Sequence, residues 1–282
     1  HHSHSAANAS NSNIQFRHLS YPHASRCNFP RTLFFLASIF TIPLSGKSIA
    51  QEDTPLIVEA DEVLEWDQTK GTYSATGNAV AKQAKQKIKA DELIASYDPD
   101  GESRKITLIV ATGAVEYENS TSKAKGDKLT YDIDSERYLI EGAKSFVTGQ
   151  NGTMRASKSI ELLSSNPDKQ LLNAIGEAQY TDAEGQIVEG ETINAHLDAE
   201  GVLDVLKAAG KVKVVAVNGQ VATGDAVTYD QKTSKAFLTG NVKIFDNGNV
   251  MRGSRAEVDF DSGISRILSD GSGKRVSGTL QP

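Results

Sequence analysis

One short pattern recurs seven times along the chain and constrains the fold more than any other feature. It consists of a small residue, a polar residue, then apolar residues at alternate positions with an Asp close behind. The copies begin about 32 residues apart, at Ala60, Ala90, Gly126, Ala156, Gly190, Gly224 and Gly253. A pattern repeated at near-constant spacing indicates one supersecondary unit that is used many times and is stable only when neighbouring copies stack.

A second pattern follows six of the seven copies. It is a Gly flanked by small or polar residues and followed by an apolar residue, as in Thr76-Gly77-Asn78-Ala79-Val80 and Thr239-Gly240-Asn241-Val242. In both patterns the apolar residues alternate with polar ones, as in Leu93-Ile94-Ala95-Ser96-Tyr97 and Val242-Lys243-Ile244. A period of two is typical of a strand with one buried face. Each repeat therefore predicts two strands.

Turn signals fall at matching places between the second pattern and the next copy of the first. They are Asn151-Gly152, Glu184-Gly185, Asn218-Gly219 and Asn247-Gly248. Such pairs between alternating runs favour antiparallel hairpins. The fold class we predict is therefore all-β, an elongated antiparallel β-jelly roll of about 14–16 consecutive strands, folded into two facing layers. A parallel β-helix lacks such hairpins, and a membrane barrel is disfavoured by the sparse aromatic residues.

The first 50 residues differ in character from the rest. They carry four basic residues and no acidic one, so removing them changes the net charge of −6 to −10. The apolar run from Leu33 to Leu44 follows Arg31 and precedes Ser48-Ile49-Ala50. A basic flank, a short apolar run and small residues at the cleavage positions describe a secretory signal peptide. We therefore expect an upstream segment at 1–28, a signal peptide at 29–50 cleaved after Ala50, and one β domain at 51–282.

Residue usage argues against catalysis by the β domain. The one Cys is Cys27, and the only His beyond residue 50 is His196. A Cys–His pair, a two-His mechanism and a Cys-based metal cluster are thereby excluded for this part of the chain. We expect His196 to face solvent on a strand and each repeat-end Asp to form a turn: Asp67, Asp98, Asp132, Asp198, Asp230 and Asp261. The acidic balance disfavours nucleic acid as a partner, and the sequence indicates no enzyme, cofactor or metal.

The repeated pairing of the two patterns behind a signal peptide resembles the organic-solvent-tolerance (OstA-like) family of lipopolysaccharide-transport proteins. The resemblance extends from about Pro55 to Val258. Three segments carry it most clearly: Lys87-Ile88-Lys89-Ala90-Asp91-Glu92-Leu93, Lys125-Gly126-Asp127-Lys128-Leu129-Thr130-Tyr131 and Thr76-Gly77-Asn78-Ala79-Val80.

The resemblance implies a periplasmic protein of Gram-negative outer-membrane assembly. It would bridge the inner and outer membranes and carry the acyl chains of lipopolysaccharide in an apolar β-groove, without an ATPase of its own. The implied partners are lipopolysaccharide, an LptC-like anchor protein of the inner membrane and an LptD-like translocon of the outer membrane. Head-to-tail self-association by strand addition is also implied.

We predict the groove from the apolar faces of the first pattern. Its candidate residues are Leu93, Tyr97, Leu129, Tyr131, Ile160, Leu162, Ile193, Leu197, Val227, Tyr229, Val258 and Phe260. The same residues could instead fill a closed core. The alternative function is a structural or adhesive extracytoplasmic β-repeat protein that binds protein or polysaccharide.

Overall fold

The computed structural model describes residues 56–102, 104–166, 168–199, 201–273 and 275–281. The expected upstream segment at 1–28, the signal peptide at 29–50 and its cleavage at Ala50 lie outside the described residues and stay predictions. The described part of the chain contains eighteen strands and no helix, so no helix in it is long and apolar enough to cross a membrane. The predicted all-β class is confirmed.

The strands in the first half of the chain are β1 (Ile57–Glu59), β2 (Val63–Asp67), β3 (Thr72–Gln83), β4 (Gln86–Tyr97), β5 (Ile106–Glu118), β6 (Lys123–Asp132), β7 (Arg137–Glu141), β8 (Ser145–Gly149) and β9 (Gly152–Ala156). Those in the second half are β10 (Ser159–Asn166), β11 (Lys169–Asp182), β12 (Ile187–Asp198), β13 (Leu203–Val215), β14 (Val221–Asp230), β15 (Lys235–Asp246), β16 (Asn249–Asp259), β17 (Ile264–Leu268) and β18 (Ser277–Thr279).

Neighbouring strands pair antiparallel in chain order, as the hairpin signals predicted. Four pairs of short strands stand in the place of one long strand each: β1 with β2, β7 with β8, β9 with β10, and β17 with β18. Counted in this way, the eighteen strands form fourteen consecutive strand paths. The predicted range of about 14–16 consecutive strands is confirmed.

Every strand path bends or breaks in its middle, and the register shifts there. In β15 the shift lies between Thr239 and Val242, and both Gly240 (φ 75°) and Asn241 (φ 49°) have positive φ. The same geometry recurs at the Gly of the second pattern in β3, β5, β11 and β13. Such a bulge bends a strand, so the second pattern is a corner rather than a straight strand segment.

The corners divide the sheet into two layers. Layer A consists of β2, β7, β10 and β17 and the halves of the long strands that pair with them, while layer B consists of β1, β8, β9 and β18 with the other halves. The two layers face each other, because inward side chains from both line the same small cavities. The predicted jelly roll of two facing layers is therefore observed.

The turns at the far end of each layer follow the predicted chemistry. At the end of layer A, the carboxylate of Asp132 accepts a hydrogen bond from the Ser135 backbone N–H at 3.1 Å, and Asp230 accepts one from Thr233 at 3.0 Å. In the last copy, Asp259 accepts from the Ser262 N–H at 2.9 Å. Asp261 was predicted for that role but lies within the turn, and Asp259, the last residue of β16, accepts the bond at the same place in the repeat as Asp132 and Asp230.

Candidate functional site

The apolar space between the two layers is the candidate site. It is narrow beside the corners, where small side chains face inward: Ala79 lies opposite Ala90, and Ala178 lies opposite Gly190. Larger residues face inward further from the corners, among them Tyr97 and Leu197. The side chains that fill the space thus become larger from the corner line towards the outer ends of the layers, and we name the line between these outer ends the mouth.

The corners are held by a polar contact that joins the two sequence patterns. The Asn241 side-chain amide donates to Asp225 at 2.8 Å, and Asn78 donates to Asp61 at 2.7 Å. The carboxylate of the first pattern thus covers the Gly of the second, and a Cβ on Gly240 would lie 2.2 Å from an Asp225 oxygen. The pairing of Ala-Asp or Gly-Asp with Thr-Gly-Asn in the sequence reflects this contact.

The residues predicted to line the groove all lie on the inward face. All of them are buried except Phe260, which is half-buried and packs against the core. Leu93 and Leu129 belong to a smaller apolar cluster at the amino-terminal end. The larger cluster along the rest of the molecule contains the remaining ones: Tyr97, Tyr131, Ile160, Leu162, Ile193, Leu197, Val227, Tyr229 and Val258.

The prediction named eleven of the 43 buried apolar residues in the described part of the chain, because it took residues from the first pattern only. The second pattern supplies fully buried side chains, among them Leu206, Leu238 and Ile244. The alternation of Val242 with Ile244 was visible in the sequence and could have identified them.

Aromatic residues concentrate towards the mouth on layer A. Tyr131 and Tyr138 stack with ring centroids 4.0 Å apart, and the ring of Tyr229 meets Phe260 edge to face at 5.7 Å. The Trp66 indole donates to the Tyr97 hydroxyl at 2.9 Å. A tyrosine offers an apolar ring and one polar atom, which suits a boundary between an apolar interior and water.

The interior carries little charge. Burial raises the pKa of Tyr117 to about 12 and also raises the pKa of Tyr138 and Tyr180. These hydroxyls are therefore neutral over the physiological range. Burial likewise raises the pKa of the Asp182 carboxyl, which lies near the mouth beside Tyr229. A space lined in this way favours hydrocarbon over ions.

The interior is nearly filled by its own side chains. The cavities found between the layers have volumes of about 30 Å³, beside Tyr117, Tyr138 and Leu172, and about 10 Å³, beside Tyr180 and Phe260. The first volume is comparable to that of one water molecule. In this conformation the space is a closed core, and a larger ligand needs the two layers to move apart.

A larger cavity, about 450 Å³ in volume, lies outside this interior, where the strands of layer A end. Exposed His196 and half-buried Val205 line it, together with Asp204, whose carboxylate pairs with Lys232 at 2.7 Å. His196 therefore faces solvent, as predicted. Within the described residues no group of His, Cys, Asp or Glu is arranged to hold a metal ion.

The two ends of the layered sheet differ. At the amino-terminal end, Leu64 and Trp66 of β2 are 61% and 39% exposed although they lie on the inward face. At the carboxyl-terminal end, Ser265 of β17 donates to the Gln220 side chain at 3.0 Å. Gln220 lies in the turn between β13 and β14, so this bond joins layer A to the outer end of layer B. The amino-terminal end is thus the more open one.

Comparisons with known proteins complete the description. The family model described as "LptA/(LptD N-terminal domain) LPS transport protein" matches residues 57–167 and 186–264, which is more than half of the chain. No curated protein matches significantly. Among the solved structures that match is LptH from Pseudomonas aeruginosa, described as the LptA homologous periplasmic component of the lipopolysaccharide transport device.

The LptH match has 13% sequence identity and covers 81% of this chain and 96% of the LptH chain. Its TM-score of 0.21 is too low to support any argument from superposition. The family assignment therefore depends on the family model, whose matched segments include β1–β10 and β12–β16. The chain therefore belongs to the LptA/LptD N-terminal domain family of lipopolysaccharide transport proteins.

Proposed function

We propose that this protein is a periplasmic carrier that binds lipopolysaccharide with its acyl chains between layers A and B. The observation that carries the proposal is the continuous apolar face that both layers present along fourteen strand paths. At about 4.8 Å between strands, this face extends on the order of 60 Å. Several acyl chains need such a long apolar surface, since each CH₂ removed from water contributes about 0.8 kcal/mol.

Binding on this scheme requires the layers to separate. The groove residues predicted from the sequence then exchange contacts with one another for contacts with acyl chains. Because both states bury apolar surface, the free-energy difference between them can be small, which suits a carrier that must also release its lipid. The tyrosines near the mouth, such as Tyr97 and Tyr229, would lie at the boundary between the acyl chains and the polar headgroup.

The ends of the sheet are the proposed contact surfaces for protein partners. Edge strands offer unpaired backbone groups for strand addition. At the amino-terminal end, Val63 and Leu64 of β2 are exposed, and at the other end Ile264 and Leu268 of β17 are exposed. Head-to-tail stacking of copies, with an LptC-like anchor at one terminus of the stack and an LptD-like translocon at the other, would use these edges.

The carrier would be passive. Its residues provide binding surface and no energy source, so a partner must drive transport. Export through the signal peptide at 29–50, with cleavage after Ala50, would place the domain in the periplasm. An oxidising compartment suits a domain without Cys, and no residue of 51–282 is a Cys.

The first experiment mixes residues 51–282 with purified lipopolysaccharide and follows co-migration on gel filtration. We expect Tyr131→Asp and Leu197→Asp to weaken the affinity for lipopolysaccharide at least tenfold, since each places a charge in the apolar interior. Phe237→Asp is the matched control, because Phe237 is 45% exposed on the outward face of layer A. Circular dichroism checks that each variant keeps its β structure.

A second experiment does not depend on buried charges. A photo-crosslinking phenylalanine analogue at Leu197 should crosslink to lipopolysaccharide, and the same analogue at Phe237 should not. Equal crosslinking at both positions, or a wild-type protein that never co-migrates with lipopolysaccharide, would disprove the carrier proposal.

A further inference from the structure

A row of apolar residues runs across the outward face of layer B at its outer end. Cross-strand pairing places Ile187 opposite Val215, Val221 opposite Phe245, and Phe245 opposite Val250. Val215 lies opposite Val221, so the row is continuous over β12–β16. These side chains alternate with the buried inward residues, and Phe245 is 39% exposed. At about 4.8 Å a strand the row extends about 19 Å.

The row is extended by the turn that joins β13 to β14. Val217 in this turn is 65% exposed, one of the largest exposures of an apolar residue in the described part of the chain. Together with Ile187, Val215, Val221, Phe245 and Val250 it makes one connected apolar surface, which we name the outer apolar row. Connected apolar surface of this kind on the outside of a protein marks an interaction site more often than scattered apolar residues do.

A second row lies beside the first, two residues further along each strand. It contains Lys213, Lys243 and Arg252, with Glu189 and Thr223 at the remaining positions. Lys213 is paired with Glu189 at 3.5 Å. Lys243 lies directly opposite Arg252, and among the described residues neither has a carboxylate within ion-pair distance.

Two cations placed directly opposite each other on a sheet repel one another and destabilise the fold. A bound anion would relieve this repulsion. The outward face of layer A provides the contrast on the same strands: Lys235 pairs with Glu257 at 3.1 Å and Asp259 at 3.6 Å, and Arg266 pairs with Glu257 at 3.3 Å. The directly opposed cations Lys243 and Arg252 thus differ from the ion-paired side chains on the layer A halves of β15 and β16.

We propose that the outer apolar row and the cations Lys243 and Arg252 together dock the outer end of layer B on the surface of an anionic phospholipid bilayer. The two rows are separated by two residues of extended chain, which is about 7 Å. Interfacial side chains enter a bilayer by about 5–10 Å. The apolar row can therefore lie among the headgroups and upper acyl chains while the ammonium and guanidinium groups are level with the phosphates.

The bilayer explains both rows at once, which a purely apolar partner or a purely acidic partner would not. The surface is on the outside of layer B, and the proposed acyl-chain site is between the layers. Docking can therefore occur with or without lipopolysaccharide bound, and the two proposals can fail separately.

The test is co-sedimentation of residues 51–282 with vesicles that contain no lipopolysaccharide. This segment is used because it contains all the described strands and both apolar clusters, and because the apolar run Leu33–Leu44 would bind vesicles by itself. We expect binding to vesicles of phosphatidylglycerol and phosphatidylethanolamine, little binding to phosphatidylcholine vesicles, and release as salt rises from about 0.1 M to 1 M.

The variants divide the surface into its two parts. Each basic residue near an anionic surface strengthens binding about fivefold, so Lys243→Glu with Arg252→Glu should weaken binding by at least 25-fold on this reasoning. Phe245→Ser should weaken it severalfold. The matched controls lie on the outward face of layer A of the same strands, Lys207→Glu in β13 and Phe237→Ser in β15, and should leave binding unchanged.

Three results would overturn the proposal. The first is no binding of the wild-type chain to anionic vesicles at low salt. The second is equal weakening by the layer B variants and the layer A controls. The third is a wild-type dimer on gel filtration that Phe245→Ser converts to a monomer, since the row would then bind a second copy of this chain.

Discussion

A substitution at one corner of a strand path tests how this chain folds into two layers. The perturbation is Gly240→Ala. Gly240 has a φ of 75°, and a Cβ there would lie 2.2 Å from a carboxylate oxygen of Asp225. Two costs are therefore expected: the strain of a positive φ and the displacement of a carboxylate that accepts a hydrogen bond from Asn241 at 2.8 Å.

The two costs can be separated with Gly219→Ala. Gly219 has a φ of 87° but nothing within 4 Å of the position a Cβ would take. Its replacement costs only the strain, about 1–2 kcal/mol. Gly240→Ala adds the loss of the Asn241–Asp225 hydrogen bond, about 0.5–1.5 kcal/mol, and the displacement of the Asp225 side chain. We therefore expect about 2–4 kcal/mol in total for Gly240→Ala.

The assay is urea unfolding of residues 51–282 together with thermal unfolding. In a domain of this size, 1 kcal/mol shifts the Tm by about 2–4 °C, so the melting temperatures of the two variants should differ measurably. In an Asp225→Gly background, which also removes the Asp225 Cβ that would lie 2.8 Å from the new side chain, Gly240→Ala should cost no more than Gly219→Ala. The reasoning is refuted if Gly240→Ala and Gly219→Ala destabilise equally with Asp225 present.

Two further predictions concern the core and the turns. Leu238 is fully buried, and its neighbour Phe237 is 45% exposed on the opposite face. In urea unfolding, Leu238→Ala should lower the free energy of unfolding by about 2–5 kcal/mol and Phe237→Ala by less than about 1 kcal/mol. The reverse order would contradict the assigned faces. Backbone N–H groups lower the pKa of Asp132 and Asp259 below the ordinary value of 3.8, so their stabilisation is complete above about pH 3.8 and is lost as the pH falls through the lowered values. Asp132→Ala should therefore lower the Tm at neutral pH and have less and less effect as the pH falls through the lowered pKa. An effect that is unchanged at low pH would count against the turn role.

Much of the fold was accessible from local patterns. Alternation of apolar residues over two positions, as in Val212 to Val214, identifies a strand and its buried face without any knowledge of its partners. The Asn218-Gly219 turn and the turn formed by Asp230 depend on residues within one loop. Antiparallel pairing of consecutive strands follows from such short turns, so the number of strands and their order were predictable.

The corners were not predicted, although their residues were noticed. Gly240-Asn241 reads locally as part of a strand, and the bend depends on Asp225, which lies on the neighbouring strand. In the last copy, Asp259 rather than Asp261 accepts the turn hydrogen bond, because β16 stops pairing with β17 at Asp259. Both features are set by pairing between strands, which a single window of sequence does not contain.

The sequence by itself determined the repeat, the strand faces and the turns, because each depends on residues that are close along the chain. Only the tertiary structure decided how those faces are used. The inward faces of both patterns meet to make one closed apolar interior, in which Leu206 and Leu238 are as fully buried as Ile193. The outward faces of layers A and B differ in apolarity because cross-strand register brings Phe245 beside Val221 and Ile187 beside Val215. The members of each pair are separated in the sequence by most of two strands, so their contact depends on register, and register is a property of the assembled sheet.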